Sequence, residues 1–186
     1  MATIREIMDL PLSPVEKGEP VHFKNPPKAF YEAIGQEEGM KELMYDFYDK
    51  IYESTIAHFF PQDEEEFEKV KEKNTKFFIQ ICGGPKVYEG ESQGMDLNEY
   101  MIRLHDDFSI TEKSRIEWLG TMRDALADKA QHVDIDLIKE FWDYLENFSK
   151  LTVNTFADGS TYYAAYTQAK EEVAGSNFSE VVFGEP

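Results

Sequence analysis

Cysteine is almost absent from this chain of 186 residues: Cys82 is its one thiol, which excludes an internal disulfide and a thiolate cluster within one chain. Long apolar runs are missing as well. No stretch approaches the ~18 consecutive apolar residues that suit a membrane-crossing helix. The opening residues mix Arg5 with Glu6 and Asp9 and lack the apolar segment of a secretory signal. No membrane insertion is therefore expected, and the expected location is the cytoplasm. Basic residues are scarce, 19 Lys and Arg against 37 Asp and Glu, for a formal net charge of −18. Such a chain repels nucleic acid and anionic membrane surfaces, so neither is expected as a partner. A basic redox partner or a salt-adapted host would suit that charge.

The usual enzymatic signatures are missing too. There is no glycine-rich phosphate loop, no His-Glu-x-x-His, no serine nucleophile elbow and no EF-hand loop, and no flavin or nicotinamide motif. The histidines, at 22, 58, 105 and 132, are too scattered for a zinc site by local spacing. The run from Asp63 to Glu66 reads as a solvated helix start, where negative charge meets the positive end of the helix dipole. Gly83, Gly84 and Pro85 read as a helix stop.

What is present is apolar and aromatic. Hydrophobic residues make up 41% of the chain, enough for one packed core, and 14 Phe and 10 Tyr supply flat groups able to line a pocket for a large flat ligand. Residues 1–27 hold five of the eight prolines and no sustained periodicity, so they read as an extended N-terminal arm. From 28 to about 156 the pattern is helical. Helices are expected over roughly 28–34, stopped by Gly35, and over 37–53, where Met40, Leu43, Met44, Phe47, Tyr48, Ile51 and Tyr52 form an apolar stripe. A third is expected over 64–81, burying Phe67, Val70, Phe77, Phe78 and Ile81, with Asn74 on the same stripe. Residues 86–96 read as a loop. Further helices are expected over 97–105, 113–128 and 134–155, the last with Ile138, Phe141, Trp142, Leu145, Phe148 and Thr152 on one side. The extension over 157–186 carries Tyr162, Tyr163 and Tyr166 in a segment that fits one more helix. The class expected is all-α.

Taken alone, His105 at the end of a short helix reads as a structural or capping residue. Its surroundings change that reading. The string His105, Asp106, Asp107, Phe108, Ser109, Ile110, followed by Trp118, Leu119, Met122 and Leu126, resembles the signature of truncated haemoglobins, particularly their second group. In that family a Trp on the distal side follows the proximal His by thirteen residues, the spacing from His105 to Trp118 here. Further likenesses occur in family order. They are Phe30, Tyr31 and Gly35; Phe47 and Tyr48; Phe59, Phe60 and Pro61; Phe77 and Phe78 leading to Gly83, Gly84, Pro85 and Tyr88; and Asp143 to Glu146 leading to Val153 and Asn154.

The resemblance implies a globin-like, two-over-two helical sandwich holding haem b, with His105 as the proximal iron ligand. A neutral imidazole is needed there, with its other ring nitrogen donating to a backbone carbonyl. Tyr48, Trp118 and Asn74 would be the distal donors that stabilise a bound ligand; two such bonds at a net ~1 kcal/mol each would slow ligand loss roughly 30-fold. Phe60 would pack on the haem edge, Val70 would line ligand entry, Lys73 would pair with a propionate and Tyr88 would hydrogen-bond one. Phe77, Phe108, Ile110 and Met122 complete the implied cofactor-binding set. Second-group members often carry a basic residue just before the proximal His; this chain has Leu104 there, with Arg103 as a substitute, and has Asn74 where Gln or an apolar residue is common. His58 is expected at the surface. The implied activity is reversible binding of oxygen, nitric oxide or other diatomic ligands, with nitric oxide dioxygenase or peroxidase chemistry fed by a separate reductase. The alternative is a haem-based gas or redox sensor or interaction module.

Overall fold

The computed structural model describes residues 1–88, 90, 92–161, 163–168 and 179–184. Its helices are α1 (Ile4–Met8), α2 (Lys28–Ile34), α3 (Gln36–Tyr52), α4 (Glu64–Ile81), α5 (Leu97–Leu104), α6 (Glu112–Lys129) and α7 (Ile135–Lys150). Three strands, β1 (Pro20–Phe23), β2 (Tyr163–Gln168) and β3 (Ser179–Gly184), form one antiparallel sheet in the order β1-β3-β2. Among the described residues no helix is long and apolar enough to cross a membrane.

Local chemistry explains where the helices begin and end. Asp63 caps α4 by accepting the Glu66 N–H at 3.0 Å, Asp96 caps α5 through Glu99 at 3.1 Å, and Thr111 caps α6 through Ser114 at 3.2 Å. Each side-chain oxygen satisfies a donor that the first helical turn leaves open. Gly35, at φ 111°, stops α2 in the left-handed region and lets α3 start at once. One turn on, a Cβ at Gly39 would land on the Ile34 carbonyl oxygen, so this α2–α3 corner closes only around a glycine.

α3 packs against α4 and α6, and α6 against α7, the contacts expected of a two-over-two helical sandwich. Between the layers Phe47, Leu119, Met122, Leu126, Phe141 and Leu145 are buried, and Phe30 of α2 stacks on Phe141 of α7 with ring centres 4.3 Å apart. The loop before α5 carries no helix between Cys82 and Asp96 among the described residues.

Several local expectations are corrected. α7 ends at Lys150 rather than near 155, because Leu151 and Thr152 turn the chain before it runs extended to Asn154. Tyr52 is 44% exposed at the end of its stripe, and Val70 is only partly buried. The tail segment that fitted a helix is instead strand β2 over Tyr163–Gln168; Tyr162 lies outside the described residues. The N-terminal arm contains α1 and β1, and it sinks Ile7, Leu10, Val21 and Phe23 into the core. Its backbone is gripped by side chains of the sandwich, as Arg123 donates to the Leu10 carbonyl at 2.8 Å and the Trp142 indole to the Pro11 carbonyl at 2.6 Å.

Candidate haem site

His105 occupies the position just after the last residue of α5, where a helix leaves carbonyls without partners. Its Nδ1 lies 2.7 Å from the Met101 carbonyl oxygen, one turn back. A carbonyl can only accept, so Nδ1 carries the proton and Nε2 keeps its lone pair. Burial lowers the His105 pKa below its ordinary 6.5, against the opposing pull of the Met101 carbonyl, so the ring is neutral at neutral pH. A neutral imidazole oriented by a carbonyl on one nitrogen, with the other available, is the form that binds iron.

The candidate distal groups come from three helices. Tyr48 on α3 is 4% exposed and sits edge-on to Phe60 at 5.8 Å and Phe67 at 6.3 Å. Burial raises its phenol pKa, partly offset by a hydrogen bond with the Asn74 side chain of α4, and the nearby Tyr88 phenol raises it further. Tyr48 thus stays a protonated donor across the physiological range. Trp118 on α6 is partly buried and packs edge-on to Phe47 at 5.5 Å. Its indole N–H makes no hydrogen bond to another described residue, while the other tryptophan, Trp142, spends its own on the arm. Tyr48, Asn74 and Tyr88 are therefore brought together, with Phe60 and Phe67 around them.

The remaining implied contacts separate into wall and rim. Phe77 is 1% exposed and edge-on to Tyr88 at 5.8 Å, and Met122 is fully buried one turn beyond Trp118. Tyr88 is held by its backbone N–H donating to Gln80 Oε1 at 2.7 Å. Ile110 is nearly buried, whereas Phe108 is 44% exposed and meets Phe59 edge-on at 6.1 Å. Lys73 is exposed beside Asn74. Arg103 is engaged elsewhere, with Nη2 2.8 Å from Glu99 Oε1. His58 is exposed, its Nδ1 3.0 Å from the Thr55 carbonyl oxygen.

The donor set fits haem. One neutral imidazole, an aromatic wall and neutral hydrogen-bond donors suit a flat apolar macrocycle with an axial ligand. Among the described residues no group of three or more His, Cys, Asp or Glu is placed to hold a bare metal ion.

Asn154, Asn98 and Arg115 are all buried polar residues to which the sequence alone assigns no role. Asn154 is marked only by its place in the family likeness, and Asn98 and Arg115 only as polar residues within an apolar stripe, which marks a satisfied core group as readily as a site.

The helical sandwich is the fold of a globin. Residues 29–154 match the bacterial-like globin family, and the chain belongs to that family. It is similar to Hell's gate globin IV in a phosphate-bound crystal structure, with 29% identity and a TM-score of 0.64 over 73% of this chain and 80% of that one. The group II truncated haemoglobin of Bacillus anthracis is 28% identical, with a TM-score of 0.59 over 68% of this chain and 97% of its own. The truncated oxygen-avid haemoglobin of Bacillus subtilis is also 28% identical, with a TM-score of 0.56 over 67% and 98%.

Proposed function

We propose that the protein binds oxygen or another diatomic ligand reversibly on haem b, with His105 as proximal ligand and Tyr48, Trp118 and Asn74 as distal donors. The observation that carries this reading is the His105 ring, neutral and fixed by the Met101 carbonyl with Nε2 available. The haem iron supplies ligand binding and redox change. The chain would supply the rest: His105 would donate its Nε2 lone pair to the iron, Tyr48 and Trp118 would offer protons in hydrogen bonds to a polarised ligand, and Asn74 would orient the Tyr48 hydroxyl. Phe60, Phe77, Ile110 and Met122 would line the macrocycle, with the more exposed Phe108 at its edge, Val70 would border ligand entry, and Lys73 and Tyr88 would serve the propionates. Two thioether links would need two cysteines, and Cys82 is alone and buried, so the haem is held without them. The oxygen-avid relative supports the ligand class. Nitric oxide dioxygenation or peroxide reduction would draw electrons from a separate reductase, whose basic surface would complement the charge of −18.

The test is an absorption spectrum of haem-loaded protein in ferric, ferrous and oxygen-exposed states beside His105→Ala. A Soret band whose ferrous form needs His105, with a stable oxygen complex, supports the reading; failure to retain haem ends it. One observation favours the sensor alternative: strand β2 of the C-terminal extension packs against α5, the helix that leads into His105. Removing residues 157–186 would then abolish a ligand-dependent change in partner binding while leaving the ligand spectrum in place.

A further inference from the structure

The segment after His105 is held by one side chain from the far end of the domain. Asn154 is 3% exposed and follows α7. Its Nδ2 donates to the carbonyl oxygens of His105 at 3.3 Å and Phe108 at 2.8 Å, and its Oδ1 accepts the Ile110 N–H at 2.9 Å. Its backbone N–H donates to the Ile110 carbonyl at 3.0 Å, so the contact is doubled through the main chain. The Thr155 hydroxyl donates to the same Oδ1 at 3.0 Å.

A primary amide is the side-chain group that offers two N–H donors beside a carbonyl acceptor. Asn154 uses both faces on three residues, His105, Phe108 and Ile110, of the segment that follows α5. The Phe108 N–H adds a turn onto the His105 carbonyl at 3.0 Å, so that carbonyl takes two donors. His105 is thereby fixed at two points, its ring by Met101 and its main chain by Asn154.

We propose that Asn154 is a positioning residue for His105, setting the direction of Nε2 toward the haem; this rests on the reading of His105 as the proximal ligand. The opposite end of α5 is anchored separately. There the Tyr144 hydroxyl donates to Asn98 Oδ1 at 2.6 Å, and Asn98 Nδ2 donates to Asn25 Oδ1 at 2.7 Å. Asn98 is also buried, at 4% exposed, which makes Asn98→Ala a matched control, the loss of a buried amide that anchors the other end of α5.

The experiment compares Asn154→Asp, Asn98→Ala and His105→Ala as full-length, haem-loaded ferrous proteins. The iron–histidine stretching band is read by resonance Raman, and haem transfer to an acceptor apoglobin by absorbance. Asn154→Asp keeps the acceptor for Ile110 and removes both donors. It is expected to shift and broaden the band and to speed haem transfer about tenfold, the usual scale for loss of a group that orients a metal ligand. Asn98→Ala is expected to lower the melting temperature with the band unmoved. An unshifted band and unchanged transfer in Asn154→Asp, or an equal shift in Asn98→Ala, would overturn the inference alone. A band that survives His105→Ala would remove the ligand reading and the inference with it. Should Asn154→Asp fail to fold, Asn154→Ser keeps one donor, and its band is expected to move the same way by less; an unmoved band counts against the inference.

Discussion

Glu146, buried in the middle of α7, accepts both the backbone N–H of Ser13 at 2.6 Å and its hydroxyl at 2.7 Å. Arg115 completes the joint from α6: its side chain is fully shielded, and it donates to the Ser13 carbonyl at 3.0 Å, Ser149 Oγ at 2.9 Å, the Glu146 carbonyl at 2.9 Å and Glu112 Oε1 at 2.7 Å. A guanidinium in that setting holds the arm onto two helices at once. Arg115→Ala leaves several buried acceptors without a donor and is expected to cost about 3 kcal/mol. Thermal unfolding of the haem-free protein checks this, and a melting temperature within a degree or two of wild type would refute it.

The distal donors are expected to act on ligand escape more than on capture. Tyr48→Phe and Trp118→Phe each remove one donor while keeping the ring, and each is expected to raise the oxygen dissociation rate about fivefold, from a net hydrogen bond of about 1 kcal/mol. Stopped-flow displacement of oxygen by carbon monoxide measures it. Rates unchanged in both variants would mean that the two residues only pack.

Acidification is expected to release haem, and the sign follows from His105. Burial holds its pKa below 6.5 in the fold, so the unfolded chain binds the proton first. The corresponding stability is fully present above about pH 6.5 and is lost as pH falls through the lowered value. A proton on Nε2 also occupies the lone pair needed by iron. Soret absorbance followed from pH 8 to pH 4 is therefore expected to fall with a midpoint below 6.5. A midpoint above that value would contradict the neutral, partly buried ring.

Gly39 is expected to resist even the smallest side chain. A methyl group there meets the Ile34 carbonyl oxygen, which belongs to backbone and has nowhere to go. Gly39→Ala should cost about 2 kcal/mol despite the better helix propensity of alanine, as overpacking does elsewhere. Chemical denaturation reads the outcome, and a stabilised variant would show that the corner relaxes.

Most of the helical frame was legible because its signals are local. Asp63, Thr111 and Gly35 mark helix ends within three or four residues, and the stripe through Phe47 and Tyr48 needs one helix to be seen. The proposed role of His105 rests on its likeness to a family, since its spacing to Trp118 has no meaning within one helix. The sheet was not legible: Pro20 pairs with Val182, and nothing near either residue announces the other. The contacts of Asn154 and Arg115 were hidden for a related reason, because their partners lie 44 and 102 residues away, at Ile110 and Ser13, and side-chain pattern along a helix carries no record of such distances.

That pairing of Pro20 with Val182 also orders events in time. During synthesis at roughly 5–20 residues per second, β1 emerges some 8–30 s before β3 can meet it. The helices that carry Tyr48, Asn74, His105 and Trp118 are all complete in that interval. The sheet is therefore the last part of the fold that the chain can close, after α1 to α7 have all been made.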